Sequence, residues 1–180
     1  MSDITEVDKE IIKNQLDRSP DNLKGVEIRC PRGKPMVLKA YPFKNKRAFP
    51  TLFWLSCPFY VQKVSKLEDK GLVGHFTGKM KKDEEFAAQM RKMHRSYARQ
   101  RFELLSSEQK KEIKEISPDL YRVLKQSGVG GIRDKTGIKC LHVHLADFLA
   151  RGENPVGKEV YRMLPGAEEC KNNFKKYCQS

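Results

Sequence analysis

The chain has no long apolar run. No stretch approaches the roughly 20 consecutive apolar residues that a helix needs to cross a bilayer, so a transmembrane helix within these residues is excluded. The first residues, Met1-Ser2-Asp3-Ile4-Thr5-Glu6, lack the basic start and apolar segment of a secretory signal, and the expectation is a cytoplasmic protein. Paired Cys-x-x-Cys knuckles are also missing. The five cysteines, Cys30, Cys57, Cys140, Cys170 and Cys178, are odd in number and widely spaced, which argues against a disulfide framework and against a knuckle-type zinc finger. There is no P-loop and no dinucleotide-binding glycine fingerprint. Negative charge is scarce: 23 Asp and Glu face 36 Lys and Arg, a formal net charge of +13. That surplus favours polyanionic partners, nucleic acid first among them, although charge alone also serves solubility.

What is present is a globular balance, 38% hydrophobic and 33% charged, over 180 residues, enough for one core. Ile4, Val7, Ile11 and Leu16 follow a capping pair, Asp3 and Glu6, and predict an amphipathic helix that ends before Ser19-Pro20-Asp21-Asn22. Val26-Glu27-Ile28 and Met36-Val37-Leu38 read as strands flanking the turn Pro31-Arg32-Gly33-Lys34-Pro35, and Thr51 to Leu55 as a buried strand. From Phe59 the period turns helical, with Gly71 as a stop. A long helix from Asp83 to about Leu105 carries the stripe Phe86, Met90, Met93 and Tyr97. Ser106 with Gln109, Ser117 with Pro118, and Asn154 with Pro155 mark three further helix starts, the last helix reaching Leu164. A helix is also expected over Ile138 to Ala150. The reading is α+β, short N-terminal strands packed with a mainly helical remainder. Residues 1–23 form an N-terminal amphipathic helix, 24–164 a single domain, and 165–180 a basic C-terminal tail.

Lys139-Cys140-Leu141-His142-Val143-His144 concentrates the ligand-type residues. On a helix, Cys140, His144 and Asp147 share a face and His142 points nearly the opposite way; on a strand, Cys140, His142 and His144 share a side. The helical reading pairs Cys140 with His144. A metal site then needs ligands from elsewhere, and Cys30 and Cys57, each followed by proline, supply them. The expected set is Cys30, Cys57, Cys140 and His144 around zinc or an iron–sulfur cluster, with His142 as an outer or acid–base group. Two other readings stay open: small buried thiols, or Cys140 as a nucleophile with a histidine base.

Gly128-Val129-Gly130-Gly131 offers a flexible connector or a phosphate-approaching loop, the latter pointing to a phosphate-handling hydrolase. Arg91, Arg95 and Arg99 recur every four residues and, with Lys81 and Lys82 upstream, form either a nucleic-acid-binding stripe or a solvated face.

Several strings together resemble an uncharacterised bacterial family, the domain of unknown function numbered five hundred and one. They are Cys30-Pro31-Arg32-Gly33-Lys34-Pro35-Met36-Val37, Phe49-Pro50-Thr51-Leu52-Phe53-Trp54-Leu55-Ser56-Cys57-Pro58, Val64-Ser65-Lys66-Leu67-Glu68, the glycine loop, the Cys140 segment, and Gly152-Glu153-Asn154-Pro155-Val156-Gly157. The resemblance spans about Cys30 to Leu164 and implies a bacterial cytoplasmic protein without implying an activity. Many members carry Cys-Pro-Cys-Gly where this chain has Cys30-Pro31-Arg32-Gly33, so Arg32 removes a second ligand there. Because the shared strings hold Cys30, Cys57 and the Cys/His segment, the resemblance favours the metal reading.

Overall fold

The computed structural model describes residues 1–170 and 175–178. It is α+β, with a small antiparallel sheet near the N-terminus and helices for most of the rest. Strands β1 (Leu23–Arg29), β2 (Pro35–Ala40) and β5 (Phe53–Leu55) pair in the order β1-β2-β5. Every residue of the central strand β2 except Lys39 is buried, as expected for a strand covered on both faces. Val26 pairs with Leu38 and Leu38 with Trp54, and this side meets Ile12 and Leu16 of α1 (Glu6–Leu16). Val37 pairs with Leu55 and faces the main core instead. The alternation of apolar residues along β2 therefore serves two layers. A two-residue hairpin joins β3 (Phe43–Lys44) to β4 (Arg47–Ala48), with Asn45 and Lys46 both at positive φ.

Helices α2 (Pro58–Asp69), α3 (Leu72–Lys82) and α4 (Glu84–Glu103) follow β5. All four residues of the expected stripe on α4, Phe86, Met90, Met93 and Tyr97, are buried. Tyr97 drives its hydroxyl into the core, where it accepts from the Leu52 backbone N–H at 2.6 Å and ties α4 to the strand region. Asp83 caps α4, Ser106 and Gln109 form a capping box for α5 (Ser107–Ile116), and Ser117 caps α6 (Pro118–Gln126). Helices α7 (Leu141–Arg151) and α8 (Pro155–Arg162) pack on each other, α7 also on the sheet and α8 on α4, with Gly152 left-handed at the end of α7 and Asn154 capping α8. A last turn, Lys175–Cys178 (α9), packs against α1. Among the described residues no helix is long and apolar enough to cross a membrane.

Four details differ from the sequence expectations. The capping box of α1 is Thr5 with Asp8 rather than Asp3 with Glu6, and the buried pair is Ile11 and Ile12 while Val7 is exposed. Gly71 ends α2, but the chain re-enters a helix at once. That helix, α3, was unexpected because it holds Gly74 and Gly78 and starts without a side-chain cap; burial of Phe76 and Met80 stabilises it against this poor propensity. Helix α7 starts at Leu141, three residues later than expected, with Cys140 extended as its N-cap. Helix α8 stops at Arg162, short of Leu164.

Candidate metal centre

The late start of α7 decides the geometry of the Cys/His segment. As an extended cap residue, Cys140 is not on the helical face that carries His144. Its partner is His142, in the first turn of α7, and the third member comes from α2. Glu68, Cys140 and His142 each present a ligand-type atom within 4.8 Å of the others, and all three are partly buried. Glu68 Oε1 accepts from the Leu141 backbone N–H and lies 3.1 Å from His142 Nδ1. It thus anchors the first turn of α7, satisfying an end N–H that the helix leaves unpaired. The other ring nitrogen, His142 Nε2, lies 3.2 Å from the Val61 carbonyl and 3.4 Å from the Ser65 hydroxyl. Val61, Ser65 and Glu68 are spaced four and three apart, so one face of α2 presents all three to the imidazole.

Burial lowers the pKa of His142, but Cys140, the Glu68 carboxylate and the Val61 carbonyl outweigh it and hold the value above the usual histidine range. His142 and Val143 also line a groove of about 380 Å³ whose walls include Phe49, Phe53 and Trp54. The guanidinium of Arg18 lies over the Trp54 ring at 4.8 Å.

The other expected ligands lie elsewhere. Cys57 is buried at the N-cap of α2 in the main core, with Cys30 and Cys170 packed against the same core. Burial pushes its thiol up to about 11, only partly offset by the N–H groups of Tyr60 and Phe59, so it stays protonated at neutral pH. Cys30 opens a tight turn in which the Gly33 N–H donates to its carbonyl at 2.8 Å. Among the described residues, neither Cys30 nor Cys57 joins Cys140 in a ligand-type group, and neither does His144.

His144 belongs to a buried polar network instead. Asn154 Nδ2 donates to His144 Nδ1 at 3.1 Å and to Asp147 at 2.8 Å, while Asn154 Oδ1 accepts from the Gly157 N–H at 2.9 Å. Asp147 in turn receives Arg151 Nε at 2.6 Å. The ring of His94 stands edge-on to His144, centroids 6.1 Å apart, and His94 Nδ1 accepts from the Val129 N–H at 3.1 Å. Burial pushes His144 down to about 4 and, with help from His144, Lys135 and Arg151, pushes His94 down to about 3, so both rings are neutral.

The glycine loop is packed into this network. Three of its N–H groups have partners within the fold, Gly128 the Ile132 carbonyl, Val129 the His94 ring and Gly131 the Gly128 carbonyl. Arg101, fully buried, donates to the carbonyls of Leu124, Pro50, Val123 and Ser127 and so holds the end of α6 against this loop.

Of the expected basic stripe, Arg91 pairs with Glu84, Arg99 lies 3.9 Å from Glu103, and Arg95 is exposed. Lys81 and Lys82 are exposed at the end of α3.

The model of a family described as protein of unknown function (DUF501) matches residues 26–162. The chain belongs to the DUF501 family. No curated protein and no solved structure matches it. The match takes in Glu68, Cys140 and His142, and also the His94 network and the glycine loop. Glu68 was missed by reasoning from the sequence as a ligand. It ended one of the strings of the family resemblance, Val64 to Glu68, and its spacing from Val61 and Ser65 on a helix was the available signal.

Proposed function

We propose that this DUF501 protein binds a divalent transition metal of the zinc type through Glu68, Cys140 and His142. The observation that carries the proposal is the convergence of a carboxylate, a thiol and an imidazole within 4.8 Å. Tetrahedral zinc with bonds of 2.0–2.3 Å holds its ligand atoms roughly 3.3–3.8 Å apart, so the group needs only a small contraction. Glu68 Oε1 and His142 Nδ1, at 3.1 Å, are already slightly closer than this.

The ring environment supports ligation over a nucleophilic role for Cys140. A Cys–His–carboxylate relay needs the thiol on one ring nitrogen and the orienting carboxylate on the other. Here Glu68 holds Nδ1, and Nε2 faces the Val61 carbonyl and the Ser65 hydroxyl. A metal-bound histidine has this second pattern: one nitrogen toward the ion, the other donating its proton to a backbone carbonyl. An ion bound in the site would displace the proton from Nδ1 and leave Nε2–H on Val61. With three protein groups, such a site keeps a position for water or substrate, and the metal would supply Lewis-acid chemistry there. The apolar groove beside His142 gives a ligand with an aromatic or aliphatic body a place to lie.

Equilibrium zinc titration against a competing chromophoric chelator tests this. One equivalent is expected per chain, with affinity lowered at least tenfold in Glu68→Gln, Cys140→Ser and His142→Gln, and unchanged in Cys30→Ser. Equal affinity in all four variants would remove the proposal.

A further inference from the structure

A second feature, independent of the metal site, is an open groove of about 720 Å³ between α4 and the Glu153–Pro155 turn that precedes α8. Its walls carry Lys92, Arg95 and Arg99 from α4, with Ser96 and Met93 between them. The one carboxylate in the wall, Glu153, lies 3.6 Å from Arg151 and so is already offset. Among the described residues neither Lys92 nor Arg95 forms an ion pair. From Lys92 to Arg99 the helix rises by seven residue steps, about 10 Å along its axis.

The basic surface continues past the groove. Lys135 lies close enough to Arg95 and Arg101 for their charges to add to burial in lowering its pKa. It also lines a smaller cavity of about 240 Å³ with Arg122 and Arg133, two arginines that share a single carboxylate, Asp119. Like charges held together without matching acids cost stability, and a polyanion lowered into the tract would relieve that cost.

We propose that this tract, running from Lys92, Arg95 and Arg99 to Lys135, binds the phosphate backbone of a single-stranded nucleic acid. The size favours one strand, because the groove has the volume of a small-ligand pocket and its basic wall runs about 10 Å along α4. The charge favours a polyanion, because the whole chain carries +13 and its field acts before contact. The lining contains no aromatic ring for a base to stack on, so recognition falls on phosphates and is independent of sequence.

The test is fluorescence anisotropy with a labelled single-stranded RNA 12-mer over a salt series, using full-length wild type, Arg95→Glu, Lys135→Glu and Lys13→Glu. Lys13 is exposed on α1, so its reversal makes the same change in net charge outside the tract. Arg95→Glu and Lys135→Glu are expected to weaken binding at least tenfold at low salt and to flatten the salt slope by about one phosphate. Lys13→Glu is expected to change it less than twofold. Equal losses in all three variants would assign the affinity to net charge alone and overturn the proposal. So would binding of inorganic polyphosphate without binding of RNA, or no RNA binding at low salt. Arg95 is exposed, so its variant is expected to keep the wild-type melting temperature and circular dichroism.

Discussion

Gly128 sits where His94 leaves no room for a side chain: a Cβ built on Gly128 would lie 2.3 Å from His94 Nδ1. The glycine is there for the histidine, and the loop it opens is part of the core rather than a phosphate cradle. Gly128→Ala is expected to lower stability by about 1–3 kcal/mol through overpacking. Gly74→Ala is the counterpart. It lies in helix α3 with nothing within 4 Å of the added carbon, and is expected to raise stability by about 0.5–1 kcal/mol. Urea unfolding of the two variants checks both signs.

The two neutral histidines make stability depend on acid. Below the unfolded-state value of 6.5 the unfolded chain takes up protons at His94 and His144 that the folded chain refuses until pH falls to about 3 and about 4. Stability therefore declines as pH falls through this window, and each histidine contributes a slope of about 1.4 kcal/mol per pH unit at most. Thermal melts between pH 7 and 4 measure it, and His94→Gln is expected to flatten the curve. A slope unchanged by that variant would contradict the assignment.

Arg101 is a buried cation whose partners are carbonyls at the end of α6 and in the loops beside it, with no carboxylate among the described residues. Burial lowers its pKa to about 10, which still leaves it charged at neutral pH. Arg101→Met strips several buried carbonyls of their donor at once and is expected to cost about 3–5 kcal/mol. Arg101→Lys is expected to rescue only part of this, since an ammonium cannot reproduce the planar fork. Equilibrium unfolding separates the three proteins.

Much of the fold was legible because local chemistry and tertiary structure agree. Ser106, Ser117 and Asn154 are caps in sequence and in space, the helix expected from Asp83 begins just after it, and the Phe86 to Tyr97 stripe is buried as its period requires. Helix α3 was not legible because its glycines and missing cap argue against a helix that packing alone sustains. The candidate site was half legible. The Cys140 segment stood out as a cluster of ligand-type residues, but the choice between His142 and His144 turned on a helix boundary, the least secure feature of any sequence pattern. Glu68 arrives from a helix more than seventy residues earlier, a proximity that no local pattern encodes. His144 and His142, two residues apart, have opposite fates for the same reason. The first turn of α7 points His142 to the partly exposed α2 face, and His144, two positions on, is sealed against Asn154.

The most direct test of the account is the absorption spectrum of the full-length protein titrated with cobalt(II) under reducing conditions. Ligation by Cys140, His142 and Glu68 predicts a sulfur-to-metal charge-transfer band that saturates at one equivalent. The band is expected to vanish in Cys140→Ser, survive in Cys57→Ser, and keep its charge-transfer intensity at lower affinity in Glu68→Gln. A band that persists in Cys140→Ser and disappears in Cys57→Ser, or no band at all, would contradict it.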